Sequence, residues 1–309
     1  MKIAVLGGGG FIGSAIVDRL LADGHCIRVF ERPRIAPYRS FGAQEKVEWT
    51  HGDFMSQHDV RNAVRGVDAV MHLVSTTLPK SSNEDPIFDV QSNLVASIQL
   101  LRLMVEEHVG KIVFISSGGT VYGRPRYLPM DELHPTEPQV SYGITKLAIE
   151  KYLSMFHRLH GLKPVILRVA NPYGMRQRVD TAQGAVAVFL DQALRGQPVE
   201  IWGDGSVERD YIHVSDVAEA FARALTYEGA GQVFNVATGQ GTSLNELLRI
   251  IEAVTGVHVT VSCKPGRPFD VPVSILDNRR AREELGWSPA IGLREGIVRT
   301  ARWIHGESD

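Results

Sequence analysis

Residues 2–13 read KIAVLGGGGFIG: a short apolar run, four successive glycines, then an apolar helical opening. The run Lys2–Leu6 predicts a strand that ends on glycine, and residues 11–22 carry apolar side chains at helical spacing. Strand, turn and helix in that order put Gly7, Gly10 and Gly13 at the turn, spaced GxxGxxG where the older dinucleotide fingerprint has GxGxxG. Glycines at such a turn let the backbone bend sharply and approach a pyrophosphate, whose charge then meets helix N-terminal amides and the helix dipole. The competing reading is a glycine-rich turn without a ligand, because the motif alone is weak.

Outward from the turn, Glu31 ends a second predicted strand roughly twenty residues on, where a carboxylate meets the hydroxyls of an adenosine ribose. That carboxylate repels the extra phosphate of NADP, while Arg32 and Arg34 beside it are suited to pair with one. NAD is therefore favoured and NADP left open. Asp53, after a third strand, has two readings: an acceptor for the adenine amino group, or a cap of its own Gly-Asp turn.

The same rhythm continues. Runs at Ile27, Val47, Asp68, Lys111 and Pro164 predict strands, and segments 11–22, 56–66, 86–108 and 141–160 predict helices. Helices crossing between strands cover both faces of a parallel sheet, which is the doubly wound α/β architecture. After Arg168 the rhythm loosens into shorter elements, VEIW, VFNVA and VTVSC, so the expected division is a dinucleotide-binding domain over 1–170 and a smaller α/β lobe over 171–309, with elements free to cross back. With 309 residues, 44% hydrophobic and 22% charged, the chain can build a sizeable core.

A formal net charge of -2 gives no long-range field for nucleic acid or an anionic membrane, so an anionic ligand must be held by individually placed cations. Cys26 and Cys263 lack CxxC spacing, which predicts neither a disulfide framework nor a zinc site and suits a reducing cytoplasm. No apolar run reaches the roughly 18 residues of a membrane span. His72 and His213 sit in strand-like apolar surroundings without a second ligand at metal spacing, and are expected to pack rather than bind metal; Trp202, beside Gly203, reads equally as lobe packing or as the neighbour of a uracil base and is not taken as a site residue.

Chemistry enters with Tyr142 and Lys146, four residues apart at the start of a predicted helix and so on one face. A phenol with pKa near 10 is a poor base at neutral pH, but an adjacent ammonium and a cationic nicotinamide both favour its ionised form. Tyr-x-x-x-Lys is common by chance; what strengthens it is SSGGTVYG, residues 116–123, at the end of a predicted strand upstream, where hydroxyls can meet a substrate oxygen.

GGGGFIG, Glu31, HLVS at His72, SSGGTVYG, SYGITK, NPYG, GDGSVERDYIHVSDV (203–217) and PGRPFDVP (265–272) together resemble the extended short-chain dehydrogenase/reductases, specifically the NAD-dependent sugar-nucleotide epimerases and dehydratases, with the UDP-hexose 4-epimerase branch nearest. The resemblance implies an NAD site that also draws on Phe11, Ile12, Phe54, Leu73, Val74, Ser75 and Asn93. It implies that Arg209 and Arg267 clamp a nucleotide diphosphate, that Asn171 also meets it, and that Asp270 binds the nucleotide ribose. By the same resemblance Tyr142 exchanges the proton of the sugar 4-hydroxyl and Lys146 anchors the nicotinamide ribose, inverting carbon 4 of a UDP-hexose through a transient 4-keto sugar. A homodimer through helices 86–108 and 141–160 is implied as well.

Two departures matter. The serine that this family carries third in the stretch falls on Gly118, so Ser117 or Thr120 is expected to supply its hydroxyl. The Asp-Glu pair of the dehydratases falls on Gly119 and Thr120, which leaves no acid or base for 4,6-elimination. Ser274, four residues after Asp270, matches the place where the family varies between a bulky tyrosine and a small residue beside the sugar 2-substituent, so an N-acetyl group is expected to fit. A sugar-nucleotide reductase on the same fold and a non-enzymatic NAD sensor are the competing classes; the sensor is expected to have lost Tyr or Lys, and this chain has both.

Overall fold

A computed structural model describes residues 1–33, 37–179, 184–266 and 271–306. Its strands are β1 (Lys2–Leu6), β2 (Cys26–Glu31), β3 (Val47–His51), β4 (Ala69–His72), β5 (Lys111–Ser117), β6 (Lys163–Val169), β7 (Asn171–Tyr173), β8 (Val199–Trp202), β9 (Glu208–His213), β10 (Val233–Val236), β11 (Gly241–Ser243), β12 (Val261–Lys264) and β13 (Val273–Ser274). Seven of them form one sheet in the order β10-β6-β5-β4-β1-β2-β3, and every neighbouring pair is parallel. The order reverses at β1, where β2 lies to one side and β4 to the other, opening the crevice at the strand ends in which doubly wound sheets bind ligands.

Both faces of the sheet are covered, which is why its central strands read as continuous apolar runs. Ile3 and Val5 of β1 join Ile16, Val17 and Leu20 of helix α1 (Phe11–Ala22) in one core, while Ala4 and Leu6 face a second core shared with helices α2 (Gln57–Val64), α4 (Ala96–Glu106) and α5 (Ser141–His160). A third core, around Leu190, Val199, Ile201, Leu247, Ile251 and Ile297, belongs to the lobe, where β9 carries β7, β11 and β13 and β8 pairs with β12.

Two elements sharpen the sequence reading. VFNVA, from the region read as the lobe with elements free to cross back, lies as β10 beside β6 and completes the large sheet; the helix before it, Val214–Thr226, packs on α1. Segment 86–108, read as one helix, is α3 (Pro86–Asp89), a π-helical stretch Val90–Val95 and then α4. Side chains bonded back to the preceding turn accompany the widened winding: Ser92 donates to Phe88 O at 2.6 Å, Asn93 to Asp89 O at 3.1 Å and Ser97 to Asn93 O at 2.6 Å. Such π segments cluster at functional sites.

Candidate active site

At the glycine turn, each glycine answers a different demand. Gly7 has φ +87°, in the left-handed region. A β-carbon on Gly13 would lie 2.1 Å from Gly7 O, so α1 packs directly on the turn, whereas one on Gly10 would meet nothing nearer than 3.6 Å. The open space above Gly10, at a helix N-terminus with no side-chain cap and no acidic residue in its first turn, is what a pyrophosphate needs. Glu31 Oε2 would stand 3.2 Å from a β-carbon on Gly9, so the carboxylate faces the turn; Trp49, which sequence reasoning missed, closes the same spot from β3 at 2.8 Å. Phe11 and Ile12 open α1, and Arg32 is exposed; Arg34 lies outside the described residues.

Farther along the crevice, Leu73 and Val74 back Gly7, both at 3.5 Å from where its β-carbon would be. Asp53 accepts a hydrogen bond from Met55 N at 2.9 Å through Oδ1, the self-capping arrangement, and Phe54 is buried with its ring 5.1 Å from that of His72. His72 donates from Nε2 to Ser97 Oγ at 2.8 Å, because Ser97 spends its own proton on Asn93 O, and its Nδ1 has no partner. Burial holds this imidazole down to about 3, with the nearby Lys146 charge adding to the effect, so it is neutral packing, as the sequence predicted. His213 caps the helix Val214–Thr226, and no group of potential metal ligands occurs among the described residues.

The Tyr142/Lys146 turn is held from outside its own helix. Val140 at the N-cap offers no side-chain cap; instead Asn83 Oδ1 accepts from Ser141 N at 2.9 Å and Ser82 Oγ from Tyr142 N at 3.0 Å, both from the 3₁₀ turn after β4. Lys146 is buried, donates to Ile115 O at 3.1 Å, and stands 4.8 Å above the Phe114 ring and 5.6 Å from the Tyr142 ring centre. Burial lowers its ammonium to about 8, offset in part by the Asp89 and Glu150 carboxylates. Tyr142 is half-buried, and burial pushes its phenol up to about 12; a hydrogen bond with Ser75 acts the other way and the Asp89 charge adds to the rise. Desolvation is thus the largest influence on the phenol, and the phenolate expected from the sequence needs the cationic nicotinamide as well as the ammonium.

Asn93, expected at the cofactor, has its amide engaged elsewhere: Oδ1 accepts from Thr76 N at 2.9 Å and Nδ2 donates to Thr76 Oγ1 at 2.8 Å and Asp89 Oδ1 at 3.0 Å. It therefore fixes the loop that carries Ser75. Of the three hydroxyls in 116–120, Ser116 donates to Glu150, which is locked in a buried ion pair with Arg168 at 2.7 Å. Ser117 is half-buried at the end of β5, and Thr120 Oγ1 is buried without a partner. The Gly118 position is closed: a β-carbon there would sit 2.3 Å from Leu276 Cδ1 and 3.2 Å from the carbonyl oxygens of Arg168 and Val169.

From the lobe, Asn171 donates to Asp210 O at 2.9 Å, and its Oδ1 lies 3.9 Å from where a β-carbon on Gly119 would be. Arg209 donates to Val271 O at 2.7 Å and pairs in register with buried Ser274 of β13. Arg267 and Asp270 lie outside the described residues. No described helix is long and apolar enough to cross a membrane.

The fold and this tyrosine-lysine crevice define a sugar-nucleotide-type short-chain dehydrogenase scaffold, and the family comparison agrees. Residues 3–237 match the NAD dependent epimerase/dehydratase family, and the chain belongs to it. It is 38% identical over 313 residues to a UDP-glucose 4-epimerase of Mycolicibacterium smegmatis, covering 100% of both chains. Among solved structures it is similar to the Thermotoga maritima UDP-glucose 4-epimerase with UDP-glucose (TM-score 0.94, 35% identity, 99% of both chains). The Thermus thermophilus UDP-glucose 4-epimerase in complex with NAD is also similar (TM-score 0.89, 35% identity, 99% of both chains).

Proposed function

We propose that the protein is an NAD-dependent epimerase that inverts carbon 4 of a UDP-hexose, UDP-glucose with UDP-galactose or the N-acetylated pair. The observation that carries this reading is the buried Lys146 beside Tyr142 at the open end of the crevice whose other end is the glycine turn. When bound, NAD supplies a hydride acceptor for carbon 4 and a positive charge beside the nicotinamide. Gly7, Gly10 and Gly13 hold its pyrophosphate against α1, with Phe11 and Ile12 in the first turn. Glu31 takes the adenosine ribose and disfavours NADP. Arg32, Asp53, Phe54, Leu73, Val74 and Ser75 complete the cleft; Asn93 acts behind Thr76.

Tyr142 takes the proton of the sugar 4-hydroxyl and gives it back to the same oxygen once the 4-keto sugar presents the opposite face of carbon 4 to the nicotinamide, the face on which the hydride returns. At about 12 it is a phenol at neutral pH, so its ionisation depends on a cation arriving at the site. Lys146 anchors the nicotinamide ribose. Ser117 and Thr120 are the hydroxyls left to orient the sugar oxygen, since Ser116 is engaged with Glu150. Asn171, Arg209, Arg267 and Asp270 hold the nucleotide, which leaves the hexose to turn between two half-reactions. Ser274, small and buried next to Arg209, leaves room for a 2-acetamido group. The partner is a UDP-sugar, with neither nucleic acid nor membrane.

A homodimer fits the apolar residues that helices 86–108 and 141–160 expose, Ile87, Phe88, Val95, Ile144 and Leu159 among them. A cytoplasmic setting fits the two free, exposed cysteines. Incubating the protein with UDP-glucose or UDP-N-acetylglucosamine and reading the stereochemistry of the product tests the function. Carbon-4 inversion without added coenzyme is expected, and stoichiometric consumption of added NADH would instead indicate a reductase. Tyr142→Phe is expected to lose nearly all turnover while keeping bound NAD; comparison of Ser117→Ala with Thr120→Val assigns the hydroxyl, and full activity in both removes that role from each.

A further inference from the structure

Asp89 is fully buried, yet no part of the sequence reading or of the reaction as described uses it. Its carboxylate gathers four side-chain donors from two directions. Thr77 and Asn93 donate to Oδ1, the latter at 3.0 Å; Ser141 and Thr145 donate to Oδ2 at 2.7 and 2.8 Å. Ser141 precedes Tyr142 and Thr145 precedes Lys146, so one oxygen holds the residue immediately before each member of the reactive pair. The other oxygen grips the loop whose Ser75 meets the Tyr142 phenol. All four partners are neutral, and Asp89 makes no ion pair among the described residues.

We propose that Asp89 is a positioning residue: it ties the Tyr142/Lys146 turn of α5 to the 75–77 loop and supplies the unpaired negative charge that faces those two groups. The proposal rests on Tyr142 and Lys146 being the working pair of the epimerase reading above.

The surrounding charges make the assignment specific. The groups that face the pair are Glu150 one turn on in α5, Arg168 from β6, His72 from β4 and Asp89 from α3. Glu150 is neutralised by Arg168, with Ser116 as a third partner, and His72 is uncharged. Asp89 is left as the carboxylate without a countercharge of its own, and its field favours the protonated form of both Lys146 and Tyr142. A buried charge at this range moves a neighbour's titration by on the order of one pH unit.

Asp89→Asn removes the charge and keeps a group able to hydrogen bond. With it, the acid limb of the kcat profile, where Tyr142 gives up its proton, and the alkaline limb, where Lys146 loses its own, are both expected to move to lower pH by on the order of one unit. Ser141→Ala with Thr145→Val breaks the ties but keeps the charge, so it is expected to lower kcat several-fold with both limbs in place. A readout independent of turnover is the carbon-13 shift of the lysine side chain against pH: the Lys146 resonance, identified by its absence in Lys146→Met, is expected to titrate lower in Asp89→Asn. Limbs and resonance that stay put in a folded Asp89→Asn protein would overturn the proposal, as would unchanged kcat in the tie-breaking variant, which also serves if Asp89→Asn does not fold. Wild-type protein inactive on every UDP-sugar would refute the epimerase reading instead, while the lysine titration would still judge Asp89.

Discussion

Gly118→Ser, which supplies the serine that the resemblance places at this position, is expected to damage the protein rather than improve it. The new β-carbon would arrive 2.3 Å from Leu276 Cδ1, where ordinary carbon contacts need at least about 3.5 Å, so Leu276 must retreat by more than an ångström. Leu276 is only 1% exposed and sits in the core that includes Val121, Met130 and Val169, and the backbone oxygens of Arg168 and Val169 block the other side at 3.2 Å. Overpacking of this kind costs about 1–3 kcal/mol. Leu276→Ala alone opens a cavity and costs about 2–5 kcal/mol. In the double variant the serine occupies part of that cavity with two carbonyl acceptors within reach, so the two losses should fall short of additive by about 1 kcal/mol or more. Urea denaturation of the four proteins measures the cycle, and UDP-glucose turnover on the same samples tests the chemistry. A single variant as stable as the parent, or strictly additive losses, would refute the view that Leu276 fills the place of the absent side chain; a rise in turnover with Gly118→Ser alone would refute its catalytic corollary.

Further expectations follow from the site. Ser274→Tyr places a ring next to Arg209 and should reduce turnover of the N-acetylated sugar at least tenfold relative to UDP-glucose; an unchanged ratio would remove Ser274 from substrate selection. His72, held neutral with a folded-state value of about 3, loses stability for the fold as pH drops through its unfolded value near 6.5, since only the unfolded chain then takes up the proton. The loss amounts to about 1.4 kcal/mol per pH unit below that point. His72→Gln should therefore shallow the fall in urea midpoint between pH 6.5 and 4.5, and parallel falls in both proteins would show that the imidazole is not its source.

What could be read from the sequence was local. The helices at 11–22 and 141–160 end where their apolar spacing ends, and Tyr142 and Lys146 share a face because four residues make one turn. The same holds for the glycine turn and Glu31. What escaped depends on contacts between distant segments: Asn83 and Ser82 cap α5 from nearly sixty residues away, Asp89 reaches forward to Ser141 and Thr145, and Leu276 fills the space over Gly118. An aspartate four residues after Asp85 reads as an ordinary helical residue, and no spacing rule announces that its carboxylate will meet donors from the 75–77 loop and from α5. Asn93, expected at the cofactor, turns its amide to Thr76 and Asp89, a pairing no local spacing announces.

The return of β10 to the large sheet has a consequence for how the chain must be made. Until residues 233–236 have left the ribosome, β6 presents a bare edge to solvent, ready to pair with any other extended chain. The cofactor half therefore cannot finish folding as it emerges, although the residues proposed to bind the cofactor all precede residue 147; it waits for nearly half of the lobe to be synthesised first. A gene fragment cut at the apparent boundary near residue 170 should yield an aggregating product rather than a small NAD-binding domain, and the earliest viable truncation lies beyond Val236, where the family match also ends.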